Sequence, residues 1–149
     1  MAATILILNG PNLNLLGQRE PSVYGNQTLA DVEAACIALG DEHGVRVDTL
    51  QSNDEGTLVT AIQNAGAAGT PVVFNAGAYT HTSIALRDAI VGSGATVIET
   101  HISNVHARED FRHTSLIAPV CVGVIAGLGT TGYLLAMRAL IERGITGQN

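Results

Sequence analysis

Two stretches of the chain carry residues suited to proton chemistry. Arg19 and Tyr24 share the polar segment Asn9-Gly10-Pro11-Asn12-Leu13-Asn14-Leu15-Leu16-Gly17-Gln18-Arg19-Glu20-Pro21-Ser22-Val23-Tyr24-Gly25. A tyrosine is a poor base at its reference pKa of about 10. Bringing one near neutrality takes about 4 kcal/mol in favour of the phenolate, within reach of a close cation and hydrogen bonds. Arg19, protonated at any working pH, is the natural cation. The plainer alternative is a tyrosine that packs the loop down. The second stretch is Glu99-x-His101. Residues two apart share one side of a strand, so the carboxylate can orient the imidazole and hold its proton, the arrangement of a general acid. A hydrogen-bonded structural histidine fits the pair equally well.

Other groups cluster by chemistry. Asn75 and His81, in the segment Asn75-Ala76-Gly77-Ala78-Tyr79-Thr80-His81-Thr82-Ser83, can bind hydroxyl groups. One of Thr80, Thr82 and Ser83 is needed to cap the helix that follows. Arg108, Glu109 and Arg112 form either a solvated face or a carboxylate clamp. The run His101, His106 and His113 beside Glu99 matches no zinc spacing and has no cysteine in it. Gly127-x-Gly129 before the last helix is compatible with anion binding and equally with close packing. No Gly-x-Gly-x-x-Gly follows the first strand, which argues against a dinucleotide cofactor.

Strands are expected over 4–8, 45–50, 71–74, 96–100 and 118–126. Helices are expected after Thr28, after Ser52-Asn53-Asp54-Glu55, over 82–91, and at the end with Leu134, Met137, Leu140 and Ile141 on one face. The 101–113 segment reads as polar and partly helical. Strands two to five are each separated by helical or polar segments, and most are continuously apolar, which describes a parallel sheet covered on both faces. A five-stranded, flavodoxin-like α/β sandwich of order 2-1-3-4-5 follows, with ligands bound outside the carboxyl ends of the strands. Those ends carry Asn9 and Asn12, Ser52 and Asn53, Asn75, then Glu99, His101 and Ser103, and finally Gly127 and Gly129. A flavin- or phosphate-binding module is the rival from another class, though aromatics for stacking are scarce; a histidine-based metallohydrolase is a second.

With 149 residues, 46% hydrophobic and 13% charged, the chain reads as one domain over 1–149 with an aliphatic core and no disordered tract. A net charge of −6 argues against nucleic acid. All seven cations are arginines. Without a lysine, no side-chain amine can form an imine with a carbonyl substrate. Cys36 and Cys121 read as buried free thiols, consistent with a reducing cytoplasm. The apolar N-terminus lacks a basic flank, so a signal peptide is not expected, and Pro119 with the glycines after 126 divides the one long uncharged stretch. A soluble, cytoplasmic protein without a membrane partner is expected.

Three motifs, N-G-P-N-L-N-L-L-G-x-R-E-P-x-x-Y-G, F-N-A-G-A-Y-T-H-T-S-x-A-L-R-D-A and E-T-H-I-S-N-V-H-A-R-E-x-F-R, closely resemble type II 3-dehydroquinate dehydratases. The likeness spans essentially the whole chain, including the Gly-x-x-Gly-Tyr start of the last helix. It implies a shikimate-pathway lyase that removes water from 3-dehydroquinate without cofactor or metal. Tyr24, activated by Arg19, would take the proton beside the ketone; a water held partly by Asn12 would stabilise the enolate; and His101, oriented by Glu99, would protonate the leaving hydroxyl. Asn75, His81 and Arg112 would bind substrate hydroxyls, and the amides of Ile102 and Ser103 its carboxylate. Asp88 would reach a neighbouring subunit's site in a homododecamer built from trimers, and the loop from Gly17 to Tyr24 would act as a lid. Ala76 stands where the family often has proline, and Thr100 where valine is commoner.

Overall fold

The computed structural model describes residues 3–18, 22 and 26–144. Five parallel strands, β1 (Ala3–Asn9), β2 (Val45–Gln51), β3 (Val72–Asn75), β4 (Val97–His101) and β5 (Gly123–Ala126), lie in the order β2-β1-β3-β4-β5. This is the flavodoxin-like arrangement expected. Alternation along β1 sends Ile5 and Ile7 to one core and Leu8 to the other. Helices α1 (Leu29–Glu42) and α4 (Thr131–Glu142) cover the first core; α2 (Glu55–Ala68) and α3 (Ile84–Ser93) cover the second. Each fully buried aliphatic side chain contributes about 1.5–3 kcal/mol, which is how a chain poor in aromatics holds a three-layer sandwich. Among the described residues, no helix is long and apolar enough to cross a membrane.

The helix starts follow their side chains. Thr28 and Asp31 form a reciprocal capping box: Thr28 Oγ1 accepts from the Asp31 amide at 3.2 Å, and Asp31 Oδ2 accepts from the Thr28 amide at 3.0 Å. Asp54 caps α2, and Ser83 caps α3 by accepting from the Leu86 amide at 2.9 Å. The helix expected over 82–91 therefore begins later, because a 3-10 turn, Gly77–His81, intervenes. The strand expected over 118–126 shrinks to β5, since Pro119 has no N–H for a ladder and instead enters a 3-10 turn, Ala118–Val120. Cys121 consequently sits half-buried on the turn before β5 rather than inside a strand. Segment 101–113 holds two 3-10 turns, Val105–Ala107 and Asp110–Arg112. On α4 the buried stripe runs through Tyr133, Ala136, Met137 and Leu140, with Leu134 and Ile141 flanking it.

The sheet order fixes where the site lies. From β1 the chain passes to β2 on one side, then crosses to β3 on the other, so the crevice between β1 and β3 is the switch point at which such sheets bind ligands. Parallel pairing sets Gln51, Asn9 and Asn75 in one row at that end.

Candidate active site

The loop after β1 is held against its neighbours by backbone-level contacts. The Asn12 amide donates to Asn53 Oδ1 at 3.0 Å, while Gln51 Nε2 donates to Gly10 O at 3.1 Å and Asn53 Oδ1 at 3.2 Å. Tyr79 Oη donates to Asn53 O at 2.8 Å, which brings in the loop after β3. Asn12 adopts a left-handed conformation, φ 70°, which asparagine tolerates better than most residues. A Cβ on Gly10 would stand 2.5 Å from Ala76 O, so only glycine lets these two loops meet.

Beside this junction lies a cleft of about 650 Å³, part of it open to solvent, whose walls include Asn12, His81, His101, Ser103, Arg108 and Arg112. At one wall, His101 Nε2 and Glu99 Oε2 are 2.5 Å apart. Both side chains are almost wholly buried. Ser115 Oγ donates to the other carboxylate oxygen, Oε1, at 2.9 Å. A buried carboxylate needs such partners on both oxygens, because neither can turn to water. With Nε2 engaged, Nδ1 is the ring nitrogen left for a ligand. His81 lies nearly parallel to His101, with ring centroids 6.4 Å apart. Its Nδ1 lies 2.8 Å from Thr114 O, and since a carbonyl only accepts, that nitrogen carries the proton and Nε2 is left for the cleft.

The cleft is also lined by two cations. Arg112 Nε donates to Glu109 Oε1 at 2.9 Å, and Arg108 Nη1 donates to Ser103 Oγ at 3.3 Å. Glu109 is held below the ordinary carboxylate range, first by a backbone hydrogen bond and then by Arg112. Of this trio, both arginine side chains are at least four-fifths buried and line the cleft, whereas Glu109 is about half exposed, so the two arginines are not a solvated face. Two guanidinium groups beside two imidazoles form a wall that suits a carboxylate-bearing ligand. Among the described residues, no group of three or more His, Cys, Asp and Glu side chains is arranged to hold a metal ion.

Ile102 and Ser103 also reach the cleft. The carbonyls of His101 and Ile102 accept from the Gly127 and Gly129 amides, which pins the end of β4 to the turn before α4. Asn9 and Asn75 do not line the cleft. They lie beneath it and share a buried tyrosine: Tyr133 Oη donates to Asn9 Oδ1 at 2.6 Å and accepts from Asn75 Nδ2 at 2.9 Å. Asn75 Oδ1 accepts from the Gly77 amide at 3.1 Å. Asn9 is thus part of the support under the rim, not of the rim itself. Asp88 faces a separate groove with Gln63, Gly92 and Ser93. Arg19 and Tyr24 lie outside the described residues.

The family model described as Dehydroquinase class II matches residues 3–141. The chain belongs to the class II dehydroquinase family. It is 58% identical over 140 residues to the 3-dehydroquinate dehydratase of Rhizobium etli (strain CIAT 652), covering 94% of this chain and 97% of that one. It is 60% identical over 142 residues to that of Variovorax paradoxus (strain S110), covering 92% and 97%. The type II dehydroquinase of Propionibacterium acnes superposes with a TM-score of 0.92 at 46% identity, covering 95% of this chain and 98% of that structure.

Two members of this dehydroquinase site escape a reading of the sequence. Tyr133 leaves a faint trace, a lone tyrosine in an apolar helix, where a buried hydroxyl must find partners. Ser115 leaves none, being one of several polar residues in a loop.

Proposed function

We propose that the chain is a 3-dehydroquinate dehydratase, a hydro-lyase that eliminates water to give 3-dehydroshikimate through an enolate. The observation that carries this reading is the buried Glu99–His101 pair opening onto a cleft with two arginines in its wall. Tyr24, its phenolate favoured by Arg19, abstracts the proton beside the substrate ketone. The enolate oxygen is stabilised by a water held partly by Asn12, at the left-handed turn of the β1 loop. His101 then protonates the departing hydroxyl from Nδ1 while Glu99 compensates the charge at Nε2. His81 and Arg112 bind substrate hydroxyls, and the Ile102 and Ser103 amides receive the carboxylate; Asn75, with Nδ2 and Oδ1 both engaged beneath the cleft, supports the Gly77 turn instead of meeting the substrate. The chemistry calls for no metal or cofactor, because the acidity of a proton next to a ketone is enough for stepwise elimination. The absence of lysine leaves no side-chain amine for an imine route.

Mixing the purified protein with 3-dehydroquinate is expected to raise the ultraviolet absorbance of the conjugated enone. Tyr24→Phe is expected to abolish that signal with the fold intact, and a fully active variant would overturn the assignment of the base. Borohydride in the presence of substrate is expected to leave activity unchanged.

A further inference from the structure

Ser115 lies between the Asp110–Arg112 and Ala118–Val120 turns, and its hydroxyl is used twice. Its Oγ accepts from the Ala118 amide at 2.9 Å and lies 2.9 Å from Glu99 Oε1. A carboxylate oxygen accepts, so the hydroxyl proton is directed at Glu99 Oε1 while a lone pair of Oγ takes the Ala118 N–H. Glu99, 1% exposed, then has one oxygen against Ser115 and the other against His101 Nε2. Neither the carboxylate nor the imidazole can rotate without losing a bond that water cannot replace.

We infer that Ser115 is a positioning residue for proton delivery: by occupying Oε1 it holds the Glu99 carboxylate aimed, so that His101 presents Nδ1 to the cleft. The inference rests on the reading of His101 as the general acid. Ser115 touches neither the substrate nor the reacting atoms, and acts only through Glu99. The other titratable or charged groups about the pair are Cys121, whose thiol is pushed up to about 12 by burial and then by the charge of Glu99, His81 beside His101, and Arg108 and Arg112 in the cleft wall.

Removing the Ser115 donor destabilises the proton-poor form of the Glu99–His101 pair more than the form that carries the extra proton. The pair therefore keeps its proton to higher pH and gives it up less readily. Ser115→Ala is expected to lower kcat about tenfold with KM within about twofold, and to move the basic limb of the kcat profile up by about half to one pH unit. Ser115→Thr, which retains the hydroxyl, is expected to restore both. If Ser115→Ala melts at lower temperature but its profile keeps the parental shape, Ser115 merely caps a turn and the inference fails. Should Ser115→Ala not fold, Ser115→Cys keeps the size and weakens the donor. It is expected to move the limb in the same direction by less, and an unmoved limb there overturns the proposal. His101→Asn in the same assays separates the two claims: full turnover by that variant defeats the general-acid reading, whereas its loss together with an unmoved Ser115→Ala limb defeats only the role of Ser115.

Discussion

Burial withdraws several reactive side chains from chemistry. Cys36 and Cys121 are both free, and each thiol is pushed up to about 12, mainly by burial, with Glu33 adding to the effect on Cys36 and Glu99 on Cys121. Tyr133 is shifted upward for the same reason, so it supports Asn9 and Asn75 instead of serving as a base. For the thiols the sign is clear. An unfolded cysteine ionises near 9 and a folded one here near 12, so their share of stability is intact below 9 and is lost as pH climbs from 9 towards 12. At pH 8 a disulfide reagent is expected to label the native protein at least about a hundredfold more slowly than the denatured chain, since only thiolate reacts. The urea midpoint is expected to be level across neutral pH and to fall above 9. Fast labelling of native protein at pH 8 would contradict this account of the thiols.

At the scale of elements, the weak point is where β4 meets α4. Thr100 is fully buried, and its hydroxyl has no hydrogen-bond partner. It sits so close to α4 that a Cβ on Gly132 would come within 2.9 Å of Oγ1. A buried hydroxyl without a partner costs about 1–3 kcal/mol, and Val has nearly the same shape. Thr100→Val is therefore expected to stabilise the fold, raising Tm by about 2–4 °C for each kcal/mol recovered. Thermal melting checks this, and a lower Tm would mean that the hydroxyl is bonded in solution. The side chain points away from His101, because neighbours on a strand face opposite sides. Turnover by this variant should match the parent.

For the whole molecule, the question is what completes the site. Asp88 lies on α3 away from the cleft, with Ile84 and Val91 of the same helix largely exposed. We propose that Asp88 serves a neighbouring chain's cleft in a homododecamer of trimers. Light scattering should then report a dodecamer. Asp88→Ala and His101→Asn proteins, unfolded together and reassembled, should recover activity that neither has alone, because mixed assemblies contain clefts with an intact His101 and a neighbour's intact Asp88. No recovery on mixing would confine the role of Asp88 to its own chain.

The sequence by itself determined the layers and the rim. Strand and helix periods differ, and both are written in the spacing of Ile5, Ile7 and Leu8 or of Val32, Cys36 and Leu39. Local caps such as Thr28 with Asp31 are equally legible, because their partners are three residues apart. Membership of the family was legible too, carried by motifs that run together in the chain. Only the tertiary structure decided which polar residues of the rim face the cleft and which lie under it. Asn9 and Asn75 turn inward because Tyr133, far along the chain, offers a buried hydroxyl to both. Likewise Glu99 is held by Ser115, and the β1 and β3 loops meet because Gly10 leaves room for Ala76. Such contacts join residues that share no period and no neighbourhood in sequence. Their partners become evident only when the sheet order brings the strand ends together.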